Sequence, residues 1–524
     1  MKTYAPYILL LLLVAALLFR ISYHVAHKPD TNIEQYTSAD RPPDIYPDYS
    51  GITIPPNIAP LNFLVKETAT QYYAKIYSEA GETVEVHSFK PKIQIPIASW
   101  QRLLDKNHSK TLNIDVYIKD PTGNWTKFQT IKNKIANHKI DPFLVYRKLK
   151  LSLEWNNMGI YQRNLQNFAE SIVLHNSSFD KGCINCHSFR RNDPDNMLMQ
   201  IRSAKYGTPM LMARDAKLTP VSTKTKFTPG KVGFTAWHPS ANVIAFSINK
   251  FEMFFHTAAV EVRDVLCHAS DLALYLVDSD RILSTAAITK PDRMETFPEW
   301  SPDGRFLYFS SAPQLPVEQY RNIRADLMRI PYDYQTQKWG QLETILYADK
   351  VNGSISQPRF SPDGRFLLFN VSEYSAFPIH QAKSDLYILK LETGQYHKLP
   401  ISSERCDAWH SFSSNGRWLV FSSKRMDGRF AKPFFAYIDE NGNVDKPFVM
   451  PQLDPTFYDS LLDVYNIPEL LTKPITLKTS KFTKAIRQYK KLPGIDVITG
   501  ATPDLNLPKP DWSAPGYDEP WKKK

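Results

Sequence analysis

Cys183, Cys186 and His187 carry the sharpest chemical pattern in the chain. They stand in the run Cys183-Ile184-Asn185-Cys186-His187, a C-x-x-C-H arrangement. Two thiols three residues apart reach the two vinyl groups on one edge of a porphyrin and form thioethers. The adjacent imidazole then stands under the iron as proximal ligand. The pattern predicts one covalent haem c, with Cys183 and Cys186 as thioether donors and His187 as the iron ligand. Rival chemistries lack a part. A structural zinc site needs a second Cys/His pair, and Cys267 and Cys406 are isolated. A thioredoxin-type pair opens a helix in a βαβ unit, which these surroundings do not spell. A disulfide between Cys183 and Cys186 would leave His187 without a purpose. Cys267 and Cys406 read as buried free thiols, with a bridge between them as the alternative.

The sixth iron ligand separates an electron carrier from a catalyst. Met197 is the first candidate and Met199 the second, because the Asn192-Asp193-Pro194-Asp195 turn lets the chain double back across the haem face. A thioether there would leave no open position and favour electron transfer. Packing of these methionines on the porphyrin or the core is the plain alternative. His175 is near enough in sequence to supply an imidazole instead.

The elements that position the motif follow from patterning. Leu151, Leu153, Trp155, Met158 and Tyr161 predict a helical stretch over 150–170, leading into a short helical haem segment spanning 150–205. Before it, residues 61–149 alternate with period two and are broken by EAGE and DPTGN turns, which describes a small all-β domain. Residues 24–60 hold a Pro-rich run and read as an extended linker.

Beyond 205 the chain repeats itself. FTAWHPSANVIAFSIN, FPEWSPDGRFLYFSSA, QPRFSPDGRFLLFNVS and SFSSNGRWLVFSS begin at 234, 297, 357 and 411. Partner strands lie between them, such as DLYILKLETG at 385, and GTPMLMARDAKLTPV at 207 reads as an outer hairpin of a further unit. A turn flanked by two strands, followed by two more, makes one four-stranded blade. Trp300-Ser301-Pro302-Asp303-Gly304-Arg305 resembles the repeat signature of TolB-type β-propellers. Phe360–Arg365 departs from it by Phe for Trp, and the segment at Trp237 is degenerate. The resemblance covers 206–450 and implies a mainly β protein with a propeller of five or six blades. Residues 451–524 are left as a C-terminal helix and basic tail.

The order of NIAPLNF, GCINCHSF, the repeats and DPTFYDSLLDVYNIPEL along the chain looks like that of exported TolB-like proteins with a single c-type haem. Those proteins are often labelled cytochrome c or cytochrome c biosynthesis proteins. The resemblance spans nearly the whole chain after the linker. It implies an iron-binding envelope protein.

Composition sets limits on the rest. Apolar residues make up 43% and charged residues 22% of 524, so the chain is globular rather than disordered. Four Cys exclude a disulfide scaffold. A net charge of +11 invites a nucleic-acid partner, but no phosphate loop, zinc finger or aromatic RNP-like strand accompanies it. The excess is partly local, from Lys473 to Lys491, and reads as a solvated helix or tail. The apolar run Tyr7–Phe19 makes residues 1–23 a signal peptide or signal anchor. With no convincing cleavage site, an uncleaved inner-membrane anchor facing the periplasm is favoured over a cleaved, soluble form.

These readings converge on an exported c-type haem protein for electron transfer or redox sensing, its propeller docking a redox or envelope protein partner. The alternatives are an envelope scaffold with a structural haem, or a propeller oxidoreductase feeding its own haem. The last would use Glu299, Arg359 and His410, which precede the repeat turns on channel-lining strands. No nucleophile elbow or metalloprotease motif supports an enzyme.

Overall fold

Runs of β-branched and aromatic residues, cut by Gly- and Pro-containing turns, set the chain to fold as strands. The computed structural model describes residues 33–150, 157–225, 228, 231–255, 261, 263–374 and 377–489. The expected N-terminal signal segment, residues 1–23, and the tail from 490 lie outside the described residues.

Six antiparallel sheets of four or five strands form the larger body. Sheet I runs from Cys183–Arg190 outward to Lys217–Val221, and sheet II from Lys231–Trp237 to Arg281–Leu283. Sheet III starts at Arg293–Trp300, sheet IV at Ser354–Phe360 and sheet V at Asp407–Phe412. Each starting strand packs beside the next, which places these strands innermost around a common axis. Sheet VI closes the ring. Its inner strand Asp463–Leu471 comes from the C-terminal part, whereas Phe143–Lys150, Met158–Asn164 and Glu170–His175 come from before the motif. This is a propeller arrangement, and every sheet buries apolar residues against both neighbours.

The four repeats occupy sheets II to V, and the hairpin expected from 207 supplies the third and fourth strands of sheet I. In each repeat turn a Ser hydroxyl binds the Asp or Asn two residues on: Ser301 to Asp303, Ser361 to Asp363 and Ser413 to Asn415, at 2.5–2.7 Å. The glycine that follows needs positive φ, +75° at Gly304, +72° at Gly364 and +67° at Gly416. The degenerate repeat substitutes an imidazole. His238 Nδ1 accepts from Ala241 N–H at 2.8 Å, and its Nε2 donates to the Gly304 carbonyl at 2.9 Å.

Five expectations are corrected. No helix spans 150–170: Met158 and Tyr161 lie in a strand, because pairing on both sides outweighs the local spacing. The positions 151–156 are outside the described residues. The motif segment is not helical either, since Cys183–Arg190 is a strand. Nor is 150–205 a separate unit, because its strands divide between sheets VI and I. The described part of 24–60 is no free linker: Tyr49, Ile52, Ile54 and Ile58 are buried in a core shared with Leu368, Trp418 and Phe421 of sheets IV and V. Finally, the propeller does not stop at 450, because Asp463–Leu471 completes it.

The N-terminal body is a seven-stranded sheet with a three-stranded one beside it, over residues 37–135. It carries the helix Ile97–Asp105, whose Trp100, Leu103 and Leu104 turn inward at helical spacing. Trp418 Nε1 donates to the His138 carbonyl at 3.0 Å, and Ser414 Oγ donates to Asp141 at 2.6 Å. The basic stretch near the C-terminus folds in part as the helix Thr479–Gln488. Phe482, Ala485 and Ile486 are buried, while Lys481, Lys484 and Arg487 face solvent.

Candidate functional site

In a regular strand, residues three apart point to opposite faces, so Cys183 and Cys186 could not serve one ligand. A bulge resolves this. The ladder between Cys183–Arg190 and Asp193–Arg202 shifts register between Ile184 and His187, leaving Asn185 and Cys186 unpaired. The extra residue restores phase, and both cysteines line the same cavity. The irregularity belongs to the fold: the inner strands of sheets II to V shift at the equivalent place. Phe297, Gln357 and Trp409 at these positions, and Ile467 at the matching shift of sheet VI, hold φ between +51° and +55°. Side chains of this bulk seldom adopt such angles, which marks the inner ring as a strained, over-determined region.

Two cavities adjoin at the motif. The larger holds about 1010 Å³ of atom-free space, its mouth included, against about 530 Å³ for the smaller. Both cysteines line the larger one, with walls of Phe234, Phe251, Phe377 and Trp409. These rings contact one another: Phe234 and Phe297 stack at 3.9 Å, and Phe251 meets Phe377 edge-on at 4.9 Å. Arg147, Arg202 and Arg263 border the same cavity, so an apolar slot is rimmed by positive charge. Arg147 Nη1 donates to the Asn185 carbonyl at 2.9 Å, tying the bulge to sheet VI. Burial pushes the Cys186 thiol up to about 11.

His187 lines the smaller cavity, which shares Cys186, Phe234 and Trp409 with the larger. It is 1% exposed, and the Ile467 backbone is the polar group that faces its ring. Burial, helped by the Arg147 charge, drops its pKa to about 3, so the imidazole is neutral with a lone pair free. The same cavity collects the polar residues that rejoin the inner ladders, among them Glu299, Arg359 and Glu469. Arg359 stands 3.4 Å from Glu299 and 3.5 Å from Glu469. Burial raises Glu299 and lifts Glu469 to about 7, despite the Arg359 charge. His410 completes the group, and burial lowers it to about 3 against backbone hydrogen bonds with Leu368 and Gln357.

Met197 and Met199 do not reach the site. Both are fully buried in the core between sheets I and VI and line neither cavity. Met199 stands directly opposite His187 on the ladder, on the same face of the sheet. Two axial ligands must approach iron from opposite sides of the macrocycle, which cross-strand neighbours on one sheet face cannot do. His175 is also removed, held by Ser177 at 2.7 Å and Asn157 at 3.0 Å. Cys267 and Cys406 are free, buried thiols, raised by burial to about 11 and about 12. What sequence reasoning missed is the aromatic and arginine lining. It comes from strands of four sheets and a loop of a fifth and has no linear signature.

No family model and no curated protein matches the chain. Solved structures with similar shape do exist. TolB from Acinetobacter baumannii aligns at 11% identity over 72% of this chain and 85% of that one, with TM-score 0.40. The β-propeller domain of the trilobed protease from Pyrococcus furiosus aligns at 12% over 74% and 99%, with TM-score 0.32. Kuenenia stuttgartiensis hydrazine synthase aligns at 11% over 49% and 64%, with TM-score 0.30. Likeness at this level assigns no activity.

Proposed function

We propose that the chain is a six-bladed, TolB-like propeller that carries one covalent haem c and serves electron transfer or redox sensing in the cell envelope. The observation that carries this reading is the bulge that turns Cys183 and Cys186 into one aromatic cavity. The residues fit the group. The thiols would take its two vinyl positions, the aromatic rings would offer flat apolar surface, and the guanidiniums of Arg147 and Arg202 would offset the propionate charge. His187 is the proximal-ligand candidate, because it directly follows Cys186 in the motif and lines the cavity that adjoins the one the cysteines share. When bound, the haem supplies a one-electron couple.

The chain's own residues set the environment of that couple. Aromatic walls exclude water and lower the local dielectric, and burial is one of the protein's levers on haem potential. Cationic side chains around the cavity favour the reduced, less positive state. Glu299, Arg359 and Glu469 hold a compact charge group beside His187, which stabilises net charge near the axis. The partner is a redox or envelope protein docking on the propeller. Placement on the periplasmic side, tethered through residues 1–23, completes the proposal and agrees with haem attachment outside the cytoplasm.

The test is haem staining on a denaturing gel after expression with a c-type maturation system. The wild type should stain and show a reduced-minus-oxidised haem spectrum. Cys183→Ala with Cys186→Ala should abolish the stain. Stain that survives the double substitution overturns the reading.

A further inference from the structure

We infer that His380 provides an axial nitrogen to the iron of a haem tethered by Cys183 and Cys186. The inference rests on the haem reading above and replaces the methionine ligand expected from sequence. His380 lines the same cavity as both cysteines but comes from a different part of the chain. It ends the short 3-10 helix Pro378–His380, in the loop between the second and third strands of sheet IV. Its approach is therefore independent of the motif strand, as a second axial ligand requires.

The loop is held in place. Cys406 Sγ donates to the Pro378 carbonyl at 3.2 Å, and Ile379 is 3% exposed within the core shared by sheets I and VI. Gln381 Oε1 accepts from Glu373 N–H at 3.0 Å, and its amide donates to the Tyr374 carbonyl. His380 N–H donates to the Phe377 carbonyl at 3.1 Å, so backbone bonding fixes where the imidazole is borne. A ligand on so constrained a segment needs little ordering when it binds.

The imidazole is also in the right chemical state. Burial, reinforced by the charges of Arg263, Lys424 and Arg147, holds its pKa well below the usual histidine range. It is therefore neutral at physiological pH, with a lone pair to donate. The Phe377 ring, part of the same cavity wall, packs beside the imidazole at 6.4 Å.

The experiment uses the full chain matured with haem. Wild-type ferric protein should be low-spin by electron paramagnetic resonance, without the long-wavelength band of thioether ligation. His380→Ala should stain as strongly as wild type on a denaturing gel yet convert most of the haem to high spin. Added imidazole should restore the low-spin signal. His380→Gly, with the same imidazole rescue, serves if the alanine variant folds poorly. A high-spin wild type, a thioether band, or a His380→Ala spectrum identical to wild type each overturns the assignment while leaving covalent haem intact. Absence of stain in the wild type would overturn the haem reading itself, and that outcome is seen before His380 is altered.

Discussion

At the scale of single residues, the molecule concentrates unsatisfied polar groups on inner strands and at the joints between sheets. Glu295 is 1% exposed; its Oε1 accepts from Ser311 at 3.2 Å while its Oε2 has no partner among the described residues. Burial, with Asp271 nearby, lifts it from 4.5 to about 8, and burial lifts Asp271 from 3.8 to about 7. The folded state therefore keeps a proton on Glu295 between about pH 4.5 and pH 8 that the unfolded chain has released. Stability must fall as pH rises through that window, by at most ~1.4 kcal/mol per pH unit for one such proton. Glu295→Gln should flatten the fall. Urea midpoints at pH 5 and pH 8 measure it, and an undiminished drop in the variant would remove Glu295 as its source.

At the scale of elements, the bulge is the device that matters. It is built into every inner strand, so the motif needs no helix to bring its two thiols together. Its geometry depends on the residues that anchor the strand's start. A Cβ at Gly182 would stand 2.4 Å from the Arg202 carbonyl and 3.0 Å from Ser203 Cα. Both are backbone atoms of the paired strand and its turn, so neither can swing away. Gly182→Ala should cost about 1–3 kcal/mol and displace Cys183 from the cavity. Reduced haem incorporation alongside a lower melting temperature is the expected pair of results. Full incorporation at wild-type stability would show that the strand start adapts freely.

At the scale of the whole molecule, closure and the shared core make one cooperative body. Asp463–Leu471 pairs with Phe143–Lys150 across more than three hundred residues of chain. The N-terminal sheets share their apolar core with sheets IV and V rather than standing apart. Removing everything after residue 462 takes away the inner strand of sheet VI and exposes the ladder edge of Phe143–Lys150. Such a chain should aggregate or lose its cooperative transition. Calorimetry of the intact protein should show one transition, with the N-terminal body melting together with the ring. A separate, lower transition surviving in the truncated chain would contradict that coupling.

The chemistry and the repeat were legible in the sequence because both are local. Cys183, Cys186 and His187 are contiguous in a five-residue motif, and each SPDG-type turn writes its hydroxyl-to-carboxylate bond and positive-φ glycine within four residues. The degenerate turn at His238 could be recognised only as a departure; that its imidazole does the work of serine required the fold. The helical spacing at Met158 and Tyr161 misled because three-residue periodicity over a short run cannot outweigh two flanking ladders. Linker composition misled for a similar reason, since Tyr49 and Ile54 were destined for a core completed by Trp418. The methionine candidates were chosen by nearness along the chain, yet Met197 and Met199 line neither cavity. Met199 is placed beside His187 by strand pairing, while His380, from the loop after the second strand of sheet IV, borders the cavity. Sequence by itself determined which thiols and imidazole stand together in one motif and which segments would repeat. Tertiary structure alone decided which side chains face one another, because a single bulged residue sets the direction of everything beyond it.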